Sequence, residues 1–395
     1  MSLHLGGLAP DLLSAVALAG GFARGGRRTV LCLDVPENVA AEVDAAVSLP
    51  PGAVDAPRAD AAAAVLREAE AMVAAGAAQI IVADGTPRHG LAALTEALAR
   101  RLGTGLAVIA PASPGARRTV YQGHLFQDAN LPDSESLVRV WSHDAGGAVG
   151  LVPFTTVEAG AAAIRRDLAR LAEGGRQHAV LDALTAAHLD AIAEAVAAYP
   201  LILGSTELAA RLAARFPAAT MTEAEAWPPA EGAAAILVSA TSRTSLAQLG
   251  AARARTPLLE LDPLAMPDAE AMLAAAEAWL DGVAAERVVV VSTALPPDRL
   301  ALAQRRFGAA ELDARLGAVL RALAVRLRAR GVRKFLASGA TAASALVGAV
   351  GSQRFTVGAE LAEGLSWLRG DGDVWLCLSD GEAGGRMLLT EAFEE

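Results

Sequence analysis

Short apolar runs alternate with alanine-rich segments of helical spacing along most of this chain of 395 residues. In the first half the runs are Val30–Leu33, Gln79–Val82, Leu106–Ala110, Val149–Val152, Ala179–Leu181 and Leu201–Leu203. Runs of this length, bounded by glycine, proline or polar residues, are typical of buried strands, and strands that alternate with helices form βαβ units. The pattern predicts an α/β fold in which a mostly parallel sheet is flanked by helices.

The alternation lapses in a polar, proline-bearing stretch, Ala218–Gly232, and then resumes. The second series of runs is Ala235–Ser239, Leu258–Leu261, Val288–Ser292, Phe335–Ser338 and Val374–Leu378. The chain is also longer than the roughly 250–300 residues at which a single hydrophobic core stops growing. We therefore expect two α/β domains, 1–226 and 227–395, with a ligand crevice between them.

Composition narrows the choice of partners and compartment. A net charge of −10 and a pI near 5.2 argue against nucleic acid or an anionic membrane surface as a partner. The sequence contains no run of 18 residues that is apolar enough to span a bilayer and no signal-peptide pattern at its start, so we expect a cytoplasmic protein. Cys32 and Cys377 lie in separate apolar runs, which favours two buried thiols. Lys334 is the only lysine, so contacts to an anionic ligand should come from arginine.

The segment Ala110–Leu125 follows a predicted strand and is rich in proline, glycine and polar residues. Loops at the carboxyl ends of strands are where α/β proteins bind ligands. The segment resembles the signature P-A-x-P-x-x-G-R-T…G-H-L of the four-carbon acid sugar kinase family. The matching residues are Pro111, Ala112, Pro114, Arg118, Thr119, Gly123, His124 and Leu125. The resemblance implies an enzyme that uses ATP to phosphorylate the terminal hydroxyl of a tetronic acid, with Arg118, Gly123 and His124 at the substrate.

Near the start, Gly6–Ala15 resembles the family's A-D-D-x-T-G-A, in which acidic side chains act on the substrate hydroxyl. Asp11 matches, whereas Pro10 replaces the first Asp. The resemblance makes Asp11 the candidate catalytic base. The alternative is that Asp11 only stabilises the N-terminus of a helix, for which Pro10 is a natural neighbour.

A second substrate-binding motif is expected at Ala83–Gly90, which is similar to the family's K-x-D-S-T-L-R-G-N. Asp84, Thr86 and Arg88 match, and the resemblance implies that they bind the hydroxyls and carboxylate of the sugar acid. The alternative is structural, because Asp-Gly-Thr-Pro is also typical of an ordinary turn that leads into a helix. Four other histidines have no such resemblance and are expected to be surface or structural residues: His4, His143, His178 and His188.

The C-terminal half resembles the family's nucleotide-binding domain at four glycine- or serine-rich segments. The residues implied in ATP binding are Ser242, Gln248, Gly339, Thr341, Gly364, Gly381 and Gly384. At Ser379–Gly384 the family's K-S-G-N-F-G has lost its Lys and gained Asp380 and Glu382. Two carboxylates in place of a cation repel a polyphosphate, so Mg²⁺ or arginines elsewhere would have to compensate.

Two functions follow from these residues. The first is a kinase for a small sugar acid such as threonate, erythronate or an oxo-tetronate, with ATP and Mg²⁺ as cofactors. The second is a catalytically inactive relative that binds a small anionic metabolite. Gly204 and Ser205, at a strand end and helix start, are candidates to present backbone amides to an anion, and nearby Glu207 adds an unfavourable negative charge there. The sequence leaves a homo-oligomer open under either function.

Overall fold

The computed structural model describes residues 3–33, 43–49, 58–83, 91–128, 136–145, 148–216, 226–229, 231–266, 268–283 and 288–393. The chain forms two compact units, Met1–Thr220 and Met221–Glu395, here called the N-terminal and the C-terminal unit. The domain boundary expected between residues 226 and 227 stays a prediction, because residues 217–225 lie outside the described ranges.

The N-terminal unit contains a parallel sheet and a separate hairpin. Its described strands are β1 (Leu5–Leu8), β2 (Thr29–Cys32), β3 (Ala45–Ser48), β4 (Gln79–Ala83), β5 (Ala107–Ala110), β6 (Arg118–Tyr121), β7 (His124–Gln127), β8 (Ala148–Val152), β9 (Arg176–Leu181) and β10 (Leu201–Gly204). The sheet has the order β2-β3-β1-β4-β10-β5-β9-β8 with every pair parallel. Strands β6 and β7 pair antiparallel as the hairpin.

Helices cover both faces of this sheet. They are α1 (Leu12–Arg24), α2 (Arg58–Ala74), α3 (Leu91–Arg101), α4 (Leu137–Asp144), α5 (Phe154–Glu158), α6 (Ala161–Glu173), α7 (Ala186–Ala195) and α8 (Thr206–Ala213). Helices α2, α3 and α4 contact one another in a row, and α1, α8, α7 and α6 form a second row.

Strand β1 shows how closely the two helical layers pack. A Cβ added to Gly6 would lie 2.6 Å from Met72 Sδ of α2, and one added to Gly7 would lie 2.8 Å from Leu18 Cδ2 of α1. Successive residues of a strand point to opposite faces, so α1 and α2 cover opposite faces of the sheet. The two glycines are required because a helix approaches each face at this strand.

The C-terminal unit has a mixed sheet. Its described strands are β11 (Ala234–Val238), β12 (Leu258–Glu260), β13 (Val289–Ser292), β14 (Lys334–Ser338), β15 (Arg354–Ala362), β16 (Leu365–Arg369) and β17 (Trp375–Ser379). In the order β12-β13-β11-β14-β17-β16-β15, the first four pairs are parallel and the last two antiparallel. The helices are α9 (Arg243–Ala252), α10 (Ala269–Asp281), α11 (Pro297–Phe307), α12 (Ala309–Ala329), α13 (Ala340–Val350) and α14 (Leu388–Glu391).

Each of the eleven apolar runs predicted as strands is a strand, which confirms the two-domain α/β fold with a mostly parallel sheet. The sequence analysis missed β1, β3, the β6–β7 hairpin, β15 and β16. Strand β1 carries two glycines, and β15 and β16 belong to an antiparallel hairpin with no long apolar run. The expectation of a plain loop over 111–124 is wrong, because residues from 118 onward form β6 and β7.

Cys32 and Cys377 are buried free thiols, as expected, and burial raises the pKa of the Cys377 thiol. Among the described helices, none combines the length and the apolar character that crossing a membrane requires.

Candidate functional site

Asp11 lies in the turn between β1 and α1, at the carboxyl edge of the parallel sheet. It is the N-cap of α1, where its Oδ1 accepts a hydrogen bond of 2.8 Å from Ser14 N and its Oδ2 one of 2.8 Å from Ser14 Oγ. Both carboxylate oxygens therefore take part in a helix cap. The cap explains Asp11 structurally, and its role as a base stays a prediction.

The β6–β7 hairpin carries three residues predicted at the substrate site. Arg118 begins β6 and His124 begins β7, and both are half-buried. The two strands are joined by a two-residue turn, Gln122–Gly123, whose φ angles of 50° and 73° are both left-handed. Such turns match the twist of a hairpin and favour glycine at the second position. Gly123 thus has a conformational reason to be there, beyond any contact with a ligand.

Asp182 anchors this hairpin, and the sequence analysis did not identify it as a functional residue. It directly follows β9 and is completely buried. Its Oδ1 accepts a 2.8 Å bond from Gly123 N, and its Oδ2 accepts bonds of 2.8 Å from Gln122 N and 2.9 Å from Phe154 N. Burial raises the pKa of Asp182, while the three amide N–H groups and nearby His124 oppose that rise. An acidic residue straight after a buried apolar run, Val180–Leu181, was the sequence signal available.

A second attachment lies next to Asp182. Val120 N and Ala183 O, and Ala183 N and Val120 O, are each joined by a hydrogen bond of 2.9 Å. Strand β6 therefore continues into a short antiparallel bridge with the segment after β9. The hairpin is fixed to the rest of the unit at its turn and along one strand.

Glu207 fixes the segment that leads into the hairpin. It lies in the first turn of α8, and its Oε1 accepts bonds of 2.7 Å from Ser113 Oγ and 2.8 Å from Gly115 N. Arg211 Nη1 lies 3.7 Å from the other carboxylate oxygen. Glu207 is therefore surrounded by a serine hydroxyl, an amide, an arginine and the N-terminus of α8, while its effect on an anion at the amides of Gly204 and Ser205 stays a prediction.

Two buried histidines, His188 and His178, contact groups of the protein that explain their positions without a ligand. His188 Nδ1 accepts a 3.0 Å bond from Leu184 N, and its Nε2 lies 2.7 Å from Glu158 Oε2. These contacts assign the proton to Nε2, since Nδ1 must remain an acceptor. His178 is 1% exposed and packs against Trp141, with ring centroids 5.5 Å apart. Burial lowers the pKa of His178.

Asp84, Thr86 and Arg88 lie outside the described residues, which resume at residue 91. Their predicted role in binding the sugar acid stays a prediction.

In the C-terminal unit, the segments after β11 and β17 are joined by side chains predicted at the nucleotide. Ser242 caps α9 by accepting a 2.9 Å bond from Ser245 N, and its Oγ donates to Gly381 O at 2.6 Å. Gln248 Nε2 donates to the carbonyl oxygens of Ala383 and Gly385, both at 3.1 Å. Ser242 and Gln248 therefore shape the 381–385 segment, whatever it binds.

The turn between β14 and α13 is also held by hydrogen bonds and close contacts with neighbouring segments. Gly339 has a φ of 103°, and a Cβ there would lie 2.5 Å from both Ala240 N and Ser239 Oγ. Gly339 N donates to Ser379 O at 2.8 Å, and Ala342 N donates to Ser239 Oγ at 3.0 Å. Thr341, in the first turn of α13, lies between these two amides in sequence. Two of the amides expected to bind phosphate are thus bonded within the protein.

Glycines 381 and 384 are also conformationally required. Gly381 has a φ of 95°, and a Cβ there would lie 2.3 Å from Ala240 Cβ. Gly384 has a φ of 78°, and its Cβ would lie 2.8 Å from Leu388 Cδ2. Gly364 is different, because it occupies the turn between β15 and β16 with open space around it and donates to Glu360 Oε1 at 2.5 Å.

The loop after β17 and the start of α9 carry two acids, Asp380 and Glu382, and two arginines, Arg243 and Arg386. Asp380 Oδ1 accepts from Glu382 N at 2.8 Å, and Glu382 Oε2 accepts from Thr244 Oγ1 at 3.2 Å. Arg243, the first residue of α9, and Arg386, directly after Gly385, are exposed. Within the described ranges neither arginine has an ion-pair partner. Sequence analysis missed both; their positions beside Ser242 and Gly385 were the available signal.

Lys334 cannot supply charge at this edge. It begins β14, is 4% exposed, and its Nζ donates to Pro229 O at 2.9 Å. Gly339 follows the other end of the same strand, about 16 Å away at the usual rise per residue. In the described part of the chain, no group of three or more His, Cys, Asp or Glu side chains is placed to hold a metal ion.

Two family models match the chain, a sugar-binding N-terminal domain over residues 6–212 and a nucleotide-binding C-terminal domain over 235–389. A Burkholderia multivorans protein named 3-oxo-tetronate kinase is 32% identical over 91% of this chain and 89% of its own length. A Methylobacterium radiotolerans protein of the same name is 32% identical over 100% of this chain and 99% of its own.

Two crystal structures share the fold. A Salmonella typhimurium LT2 protein, solved under a provisional tRNA synthase name, is 27% identical with a TM-score of 0.85, and the match covers 98% of each chain. Haemophilus influenzae HI1011 is 26% identical with a TM-score of 0.78, again over 98% of each chain. With both domain models matched in order and relatives aligned along its length, this chain belongs to the four-carbon acid sugar kinase family.

Proposed function

We propose that this chain is an ATP-dependent kinase that phosphorylates the terminal hydroxyl of a four-carbon sugar acid of the 3-oxo-tetronate type. The observation that carries the proposal is the match to relatives named 3-oxo-tetronate kinase over 91% and 100% of the chain. In this proposal the N-terminal unit binds the acid and the C-terminal unit binds the nucleotide.

The glycine-rich segments of the C-terminal unit support nucleotide binding. Gly339 and Gly381 bring backbone close to Ala240, where a Cβ on either glycine would collide. Ala340 and Thr341 open helix α13, and the first amides of a helix have no partner within it. These amides can donate to a phosphate, and the helix dipole favours the negative charge.

The positive charge comes from Arg243 and Arg386 in this proposal, since Lys334 lies at the other end of β14. Mg²⁺ arrives with ATP, because Mg²⁺ in kinases is held largely by phosphate oxygens and water. Replacing Arg243 or Arg386 by Ala should weaken MgATP binding about five- to tenfold, the usual value of a charge-assisted contact. Arg305→Ala is the control, because this exposed arginine lies in the last turn of α11. Equal affinities for all three variants would exclude the two arginines from the nucleotide site.

Asp11 is the proposed base. The hydroxyl oxygen of the acid attacks the γ-phosphorus, the bond from that phosphorus to the ADP oxygen breaks, and the hydroxyl proton passes to the carboxylate. Asp11→Asn should abolish turnover and leave the melting temperature nearly unchanged, because Asn is as good an N-cap as Asp. Ser14→Ala gives the converse control, with a weakened cap and an intact base. An active Asp11→Asn variant would exclude Asp11 as the base.

Calorimetric titration with MgATP, alone and with threonate, erythronate and 3-oxo-tetronate, tests the whole proposal. Binding of both ligands followed by formation of ADP and a phosphorylated acid is expected. A second candidate, a relative that binds an anionic metabolite without phosphoryl transfer, is favoured by Asp380 and Glu382 and by the internal bonds of Gly339 N and Ala342 N. Binding of the acid without binding of MgATP would support that candidate and end the kinase proposal.

A further inference from the structure

Asp182 joins three segments that are distant in sequence. It follows β9, it accepts from both residues of the Gln122–Gly123 turn, and it accepts from Phe154 N at the start of α5. No solvent reaches it, so these amides rather than water satisfy its charge. Removing the carboxylate leaves three N–H groups without their acceptor at the point where the hairpin meets the sheet edge.

The hairpin turn depends on this attachment. Gln122 holds a φ of 50°, which is uncommon for a residue other than glycine and persists where the surroundings determine it. The turn directly precedes His124, and β7 begins at that residue. A shift of the turn therefore moves His124 and the pairing of β7 with β6.

We propose that Asp182 is a positioning residue of the sugar-acid site, which holds the Gln122–Gly123 turn and so sets the place of His124 and of strand β7. This inference rests on the proposed function, because His124 is taken to contact the acid. Within the described residues, the hydrogen bonds of the Asp182 carboxylate come from backbone amides of the turn and of Phe154, and the charge of His124 acts on it as well.

Glu207 provides a matched control. The hydrogen bonds from Ser113 Oγ and Gly115 N both end on Oε1, so Glu207→Gln can keep them through its amide oxygen and loses only the 3.7 Å ion pair of Oε2 with Arg211. At Asp182 the donors use both oxygens. Asp182→Asn must therefore turn an NH₂ group towards an amide N–H and lose at least one bond.

The experiment measures hydrogen exchange at the amides of Gln122 and Gly123, and binding of 3-oxo-tetronate and MgATP, in three proteins: unaltered, Asp182→Asn and Glu207→Gln. Asp182→Asn should lose protection at one or both of these amides and bind the tetronate about tenfold or more weakly, since small misplacements of binding groups are costly. Its affinity for MgATP should stay within about twofold. Glu207→Gln should match the unaltered protein in all three measurements.

Full protection of Gln122 and Gly123 in Asp182→Asn would overturn the proposal, and so would an equal loss of tetronate and MgATP affinity. Should Asp182→Asn fail to fold, Gly123→Ala displaces the turn from the other side, because a Cβ at a φ of 73° is strained and would lie 3.1 Å from Ser136 Oγ. That variant should lose tetronate affinity in the same selective way, and unchanged affinity would overturn the proposal.

Failure of the proposed function has a different signature. If the unaltered protein bound no tetronate, the sugar-acid site and the role of Asp182 in it would both be wrong. Loss of amide protection in Asp182→Asn would then still show that the carboxylate anchors the hairpin, which separates the two failures.

Discussion

In the N-terminal unit the segments beyond the parallel strands are held by carboxylates, and in the C-terminal unit by hydroxyls, a glutamine amide and the backbone. Asp182 and Glu207 accept from the hairpin and its approach. In the other unit, Ser242 and Gln248 hold the 381–385 segment. The comparison teaches that one unit uses buried or half-buried negative charge for structure, while the other relies mainly on neutral groups, with the exposed Glu382 as a charged exception, where a polyphosphate is proposed to bind.

The two units also differ in the kind of polar side chain that they bury. The N-terminal unit buries ionisable side chains, namely Arg27, Asp44, Glu68, His178, Asp182 and His188. The buried polar side chains of the C-terminal unit are mostly hydroxyls: Ser245, Ser292, Thr293, Ser338, Ser352, Ser366 and Ser379. The N-terminal unit should therefore respond more strongly to pH and to the loss of a charge.

The largest effect is expected for Asp182→Ala. Loss of the shared acceptor of three buried amides should lower the free energy of unfolding by roughly 3 kcal/mol or more, because each unsatisfied amide costs about 1–3 kcal/mol. Ser242→Ala, which removes one accepted and one donated bond in the C-terminal unit, should cost about 1–2 kcal/mol. Urea denaturation of both variants measures the difference, and equal costs would refute the distinction between charged and neutral anchors.

A smaller effect is expected for Gly381→Ala. A Cβ there would lie 2.3 Å from Ala240 Cβ at a φ of 95°, so we expect a loss of about 2–3 kcal/mol and weaker MgATP binding. Gly364→Ala, with a φ of 78° and open space, isolates the conformational part and should cost about 1 kcal/mol without changing MgATP affinity. Thermal denaturation and nucleotide titration distinguish the two. Lost nucleotide affinity in Gly364→Ala would instead support the sequence-based prediction that Gly364 lies at the nucleotide.

The smallest effect is expected for His178→Leu and appears only as a change with pH. Burial lowers the pKa of His178, so the unfolded chain binds its proton more tightly than the folded protein does. Its contribution to stability is present above the ordinary histidine pKa and is lost as the pH falls through the lowered value. Between about pH 7 and about pH 5 the unaltered protein should lose more stability than His178→Leu. The exposed His143→Gln is the control, and parallel curves for all three proteins would contradict the assignment.

The sequence predicted the fold well and the contacts of its site only in part. The eleven apolar runs were sufficient for the main strands, since burial of short β-branched and leucine-rich segments depends on local composition. The sequence predicts Ser242, Gln248, Gly339 and Gly381 at the nucleotide, which stays a prediction, and the hydrogen bonds around them within the protein join residues about 100 to 140 positions apart in some cases. A local sequence pattern cannot show hydrogen bonds between residues so far apart in the chain.

The sequence by itself determined eleven of the strands, the alternation with helices and the acidic, almost lysine-free character of the chain. Only the tertiary structure decided that β10 lies between β4 and β5, that Asp182 holds a turn about 60 residues earlier, and that Glu207 is surrounded by donors. The physical reason is that burial propensity is a property of each short segment. A hydrogen bond to a buried carboxylate, in contrast, exists only when the whole sheet has brought its partners to one edge.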